Sequence, residues 1–196
     1  RVLLNTTLAM GIGAVASTLV TTFREGKPDP LFAANGLLAG LVAITGACFH
    51  VTWYGALVIG LVGGIQTPFV YHWVVDSLKI DDVCGVFAVH GSAGFLGTIM
   101  IPFFDTGGFS VDQLVMQVAG SAILGTWGVI GTIITLGIVG LFMDLRVSAE
   151  EEAEGLDQSE HGLSAYPEFA TDEGSPVADG GPEKVTDGGT NMEDDA

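Results

Sequence analysis

The chain has 196 residues, of which 48% are hydrophobic and 29 are glycine, with a mean hydropathy of +0.53 and a net charge of −17. Six Lys and Arg against twenty-three Asp and Glu exclude a nucleic-acid partner, because such a balance repels phosphate. Sixteen acidic and two basic residues lie from Asp144 onward, so a nearly uncharged apolar part is followed by an acidic polar tail.

An apolar segment begins at once after Arg1, with neither the charged start nor the small-residue cleavage site of a signal peptide, and the chain reads as the C-terminal part of a longer membrane protein. A bilayer core of about 30 Å asks for roughly 20 apolar residues per helix. Five stretches meet or nearly meet this: Val2 to Thr22, Leu31 to Ala47, Gly55 to Val75, Val83 to Phe103 and Gln113 to Met143. The fold class is therefore all-α, a polytopic helical membrane protein. The second stretch is short, and the fifth, about 46 Å long at 1.5 Å per residue, has to tilt or project past the bilayer.

Arg24 and Lys27 follow the first span, Lys79 the third and Arg146 the fifth, all on one side of a five-span topology. The loops on the other side, Cys48 to Tyr54 and Phe104 to Asp112, contain no Lys or Arg, so the basic side and the C-terminus are predicted to be cytoplasmic. Cys48 and Cys84 fall at opposite ends of their spans, too far apart to bridge.

Small residues recur at helix-contact spacing: Gly36 with Gly40, Gly60 with Gly64, and the ladder Gly91, Gly94, Gly97. Close backbone approach through such faces drives packing in lipid, which predicts a tight bundle. Beyond Tyr166 the chain carries many Gly, Pro and acidic residues and no apolar period, a composition that predicts disorder.

His90 stands out within VCGVFAVHGSAGFLG, about seven residues into a span, on a face with Val86, Phe87, Ala93, Gly94 and Gly97. Ionisable groups inside spans are costly and usually face a cavity or a partner, so a pathway role takes precedence over a structural one. A neutral imidazole there donates and accepts hydrogen bonds rather than attracting a cation by charge. His72, between Tyr71 and Trp73, reads as part of an interfacial belt, as does His50 beside Trp53 and Tyr54. Asp81 and Asp82 precede the fourth span, where carboxylates oppose the positive end of the helix dipole. No nucleophile motif, metal-ligand cluster or phosphate loop occurs, so neither an enzyme, nor a metal, nor a cofactor is expected.

These residues resemble the ammonium transporter family, the Amt/Mep/Rh proteins. The likeness rests on AANGLLAGLVAIT (Ala33 to Thr45), GALVIGLVGG (Gly55 to Gly64) and DDVCGVFAVHGSAGFLG (Asp81 to Gly97), which are similar to the family's eighth, ninth and tenth helices. It extends to LRVSAEEEAEGLDQSEHGLSAY (Leu145 to Tyr166), which is similar to the cytoplasmic C-terminal motif of bacterial and archaeal Amt proteins.

The resemblance implies a homotrimer of eleven-helix, inverted-repeat subunits in the plasma membrane, of which this chain supplies helices seven to eleven. It implies that ammonium is deprotonated and passed through a hydrophobic pore past a histidine pair that includes His90, with Val86 as a pore-lining neighbour. It assigns 146–170 to a cytoplasmic regulatory tail, in which Gly155, Asp157, His161, Gly162 and Tyr166 match the motif. That tail would receive a PII-class nitrogen regulatory protein. Residues 171–196 form an acidic extension. Gly85 stands where many relatives carry aspartate, and Leu163 where the family tail usually has glutamate. The alternative is a transporter-like ammonium sensor coupled to a signalling partner, which would need a folded signalling domain after the last helix.

Overall fold

Several helix ends are set by local signals in the sequence. In the computed structural model, which describes residues 1–163, helix α1 spans Val2–Glu25 and stops at Gly26, whose φ of 79° gives a left-handed cap with its N–H on Thr22 O at 3.0 Å. Helix α2 (Pro30–Thr45) begins with Pro at its first turn and with Asp29 as its cap, Asp29 Oδ1 accepting the Leu31 N–H at 2.7 Å. Helix α3 (Trp53–His72) is capped by Thr52, whose Oγ1 accepts the Gly55 N–H at 3.2 Å, and it continues as a π-wound turn over Trp73–Ser77. After an irregular stretch the chain re-enters helix through a second π-wound segment, Phe87–Ser92, which runs into α4 (Ala93–Phe104). The long helix α5 covers Val111–Val139.

Four of these helical runs are long and apolar enough to cross a membrane, while α2, with 16 residues, is shorter. Among the described residues the β pairing is limited to an isolated bridge between Val51 and Asp105. The described chain is thus all-helical.

Contacts divide the chain at Gly137. In the part before it, helices α1, α2 and α3 pack around a centre made of small residues. Six of the ten residues of the buried core are alanine: Ala9, Ala39, Ala43, Ala47, Ala56 and Ala93. Such a core brings backbones together instead of interdigitating large side chains. A Cβ added at Gly40 or Gly60 would strike the Ala9 backbone, and one at Gly64 would strike that of Gly13, so all three helices meet at the Ala9–Gly13 turn. Of the Gly91, Gly94, Gly97 ladder, Gly97 alone makes such a contact, against the Ala43 carbonyl. A Cβ at Gly91 would meet the Phe87 ring, and Gly94 leaves room.

The α2–α3 and α4–α5 loops are tied to each other. Thr52 N–H donates to Phe104 O and Thr106 N–H to His50 O, both at 3.0 Å. Asp105 accepts the Gly107 N–H at 2.7 Å and the Gln113 amide at 3.2 Å. The Gly107 bond first, then Gln113, then the nearby His50 hold the Asp105 carboxyl below the usual aspartate range.

Among the described residues from Ile138 onward there are two short helices, α6 (Ala149–Glu154) and α7 (Leu156–His161). A capping box opens α6: Glu151 N–H donates to Ser148 Oγ at 3.2 Å, and Ser148 N–H to Glu151 Oε2 at 2.8 Å. These bonds, the backbone one foremost, hold the Glu151 carboxyl below its usual range. Arg146 reaches Glu152 at 3.1 Å. Tyr166 and the extension 171–196 lie outside the described residues.

Replacing Gly97 by Val should cost about 1–3 kcal/mol, because the Ala43 carbonyl it would strike is backbone and cannot swing away. Thermal unfolding in detergent measures it, with Gly11→Ala, where nothing lies within 4 Å, as the tolerated control. A second expectation concerns Asp105. A depressed carboxylate contributes stability above its unfolded value and loses it as the pH falls through the folded one. The melting-temperature gap between the wild type and Asp105→Ala should therefore be open at pH 7 and close as the pH is lowered below about 4.

Candidate functional site

The segment carrying His90 is held at its start by a carboxylate. Asp82 accepts the Val86 N–H at 2.7 Å on Oδ1 and the Phe87 N–H at 3.0 Å on Oδ2, capping the first turn as its position before the span predicts. Gly85 precedes that turn with φ 74°, and a Cβ there would lie 3.1 Å from Asn35 Nδ2 and 3.2 Å from the Tyr71 ring. The left-handed backbone and the crowding together account for glycine at this position. The adjacent Cys84 carbonyl accepts the Asn35 amide at 2.9 Å, which ties α2 to the segment.

The next six residues, Phe87–Ser92, are wound as π helix, a rare geometry that collects at functional sites. Ala88 and Val89 are buried against the bundle, whereas Val86, Phe87, His90 and Gly91 are exposed in this chain. His90 lines three adjoining clefts: two of about 320 and 920 Å³ between this segment with α4 and helix α5, and one of about 580 Å³ against the π-wound turn after α3. One reaches Gln117 and Ser121 on α5, and another reaches Asp81, Asp82 and Val86 at the opposite end. The clefts pass His90 along the length of the span, and Val86 shares the second of them. The walls are largely apolar, with Phe87, Phe95, Leu124, Val129 and Ile133 among the lining residues. An imidazole on such a wall can exchange one proton and bond a small polar molecule.

Two polar side chains that composition did not single out stand behind His90. Gln66 on α3 donates to Ala88 O at 2.9 Å, and Ser92 Oγ lies 2.6 Å from Gln66 Oε1. The signal that could have found them is the one that marked His90, a polar group inside an apolar span. His72 makes a contact the belt reading does not include, with Nδ1 at 3.0 Å from Asp76 and Nε2 at 3.7 Å from Glu25. Cys48 and Cys84 are both free thiols.

The tail-motif residues are described in their own part of the chain. Gly155 ends α6 with φ 104° and its N–H on Glu151 O at 3.0 Å, Asp157 lies in the first turn of α7, and His161 in its last. Gly162, with φ 62°, follows it, and the Leu163 N–H closes back on Asp157 O at 3.1 Å. The two glycines sit where positive φ is required. Tyr166 is outside the described residues.

Comparison with known proteins places this arrangement. The profile of the Ammonium Transporter Family matches residues 1–166. The ammonium transporter Amt1 of Haloferax mediterranei is 57% identical over 192 residues, covering 98% of this chain and 37% of that protein. Amt2 of Methanocaldococcus jannaschii is 41% identical over 83% of this chain and 38% of its own length. Among solved structures, a protein described as a Sensor Amt Protein superposes with TM-score 0.74 at 30% identity, covering 82% of this chain and 41% of its own. Mep2 of Candida albicans superposes with TM-score 0.66 at 32% identity, covering 89% of this chain and 42% of its own. The chain spans about two fifths of the length of these relatives. With a match that runs unbroken through the apolar spans, His90 and the tail motif, this chain belongs to the ammonium transporter family.

Proposed function

We propose that this chain is the C-terminal part of an ammonium transporter and supplies one wall of its pore, with His90 as one member of a histidine pair and Val86 as its pore-lining neighbour. The observation that carries the reading is His90 itself, an imidazole borne on a π-wound segment and turned toward apolar clefts instead of into a helix contact.

An ammonium ion stripped of water meets a charge-burial cost of several kcal/mol that neutral ammonia escapes. A neutral imidazole can accept from or donate to ammonia and relay the proton left behind. Potassium cannot give up its charge, so the same dry passage discriminates against it. Membership of the family and four helices able to cross a membrane support multi-pass insertion. The cytoplasmic placement of the C-terminus rests on Arg24, Lys27, Lys79 and Arg146, and localisation to the plasma membrane follows from the reading. A homotrimeric assembly, and capture of a PII-class regulatory protein by the tail through Gly155, Asp157, His161, Gly162 and Tyr166, belong to the same proposal. The tail and the extension are read as 146–170 and 171–196.

The likeness to a protein described as a sensor supports a second reading, in which binding is reported to a signalling partner with little flux. Uptake separates the two. The full-length protein, expressed in cells lacking their own carriers, should accumulate methylammonium, and His90→Ala should change its maximal rate by about ten-fold or more, the scale of a lost polar contact at a crossing step. Unaltered rate and selectivity in the variant would remove His90 from the pathway, and a wild-type protein without uptake would favour the sensor.

A further inference from the structure

His90 is aimed by what lies behind it. Gln66 is partly buried on α3, in an environment where an amide is costly unless its bonds are made. Its Nε2 is 2.9 Å from Ala88 O, 3.0 Å from Gly63 O and 3.1 Å from Thr67 Oγ1, and its Oε1 is 2.6 Å from the Ser92 hydroxyl. The Gly63 carbonyl anchors the amide at its root, and the far end grips the neighbouring segment at two points. Those points, Ala88 and Ser92, flank His90 by two residues on either side and are four apart, so they share one face of the segment while His90 occupies the opposite one. The Ser92 hydroxyl is also 2.9 Å from Ala88 O, so its single proton is shared between that carbonyl and Gln66 Oε1.

π winding is uncommon because it is poorly held by its own backbone bonds, and it persists where neighbouring groups over-determine it. Here the over-determination comes from α3. We propose that Gln66, with Ser92, is the positioning residue of the site: it clamps the π-wound turn from behind and fixes the direction in which His90 enters the cleft. The inference rests on the reading of His90 as a pore residue. It makes Gln66 a determinant of crossing rate that never touches the transported molecule.

Gln66→Leu tests this cleanly, because the Ser92 hydroxyl retains Ala88 O as a partner and no buried polar side chain is orphaned. The full-length protein is compared as wild type, Gln66→Leu, Ser92→Ala and the double variant, by methylammonium uptake and by hydrogen–deuterium exchange of purified protein over residues 86–97. Gln66→Leu is expected to lower the maximal rate about ten-fold, the scale of one lost hydrogen bond, with half-saturation changed by less than roughly two-fold. The double variant should be no worse than Gln66→Leu, since the two residues form one unit. Exchange over 86–97 should rise about ten-fold in Gln66→Leu and stay unchanged in the other spans.

Unchanged exchange over 86–97 overturns the clamp whatever the rate does, and so does a loss of protection spread over all spans, which would mark a general structural role. Raised exchange with a wild-type rate overturns its bearing on His90. A wild-type protein that moves no methylammonium overturns the transport reading instead, and the exchange comparison still decides whether Gln66 holds the turn.

Discussion

Lipid offers no hydrogen bonds, so wherever the chain departs from regular helix inside the bundle its freed backbone groups must find partners in the protein. Three side-chain amides meet this demand. Asn5 donates to Cys48 O and Val51 O in the turn between α2 and α3, both at 2.9 Å. Asn35 reaches Cys84 O before the fourth span, and Gln66 reaches Ala88 O within it. Each amide sits on a regular helix and each acceptor lies on an irregular or π-wound stretch distant in sequence. The helices thus serve as rigid rails, and the amides hold the segments that cannot hold themselves.

The rails owe their closeness to small residues. Ala9 and Gly13 on α1 receive Gly40 and Gly36 of α2 and Gly60 and Gly64 of α3, so three backbones share one crossing without large side chains between them. Only at that spacing can a side chain as short as Asn35 or Gln66 span from one element to a carbonyl of the next. Packing and polar satisfaction are in this sense one constraint, and the direction of His90 inherits both.

Much of this was legible in the sequence. Hydropathy gave the all-helical membrane class, and the glycine pairs of α2 and α3 marked the faces that meet α1. The ladder beside His90 was less informative, because its spacing could not distinguish Gly97, against the Ala43 backbone, from Gly94, where a Cβ would only touch the Val42 side chain. The π winding of Phe87–Ser92 left no trace in the residue pattern, and the amide that bonds Ala88 O within it stands 22 residues away. His90 announced itself as an ionisable group in apolar surroundings. Gln66 did not, because an uncharged amide gains weight only when its acceptor is known. The short helices α6 and α7 are set by Ser148, Glu151, Gly155 and Gly162, all local signals.

Helix α5 differs from the other spans in that none of its residues is buried within this chain, and it is the most apolar of the four long ones. Among the helices of this chain, such a helix owes more to its own composition than to burial against its companions. The shorter α2, sixteen residues packed against α1, α3 and α4, has the opposite dependence and needs its neighbours for a stable berth. This region thus sets a helix apolar enough to stand in lipid by composition beside a shorter one retained by its companions.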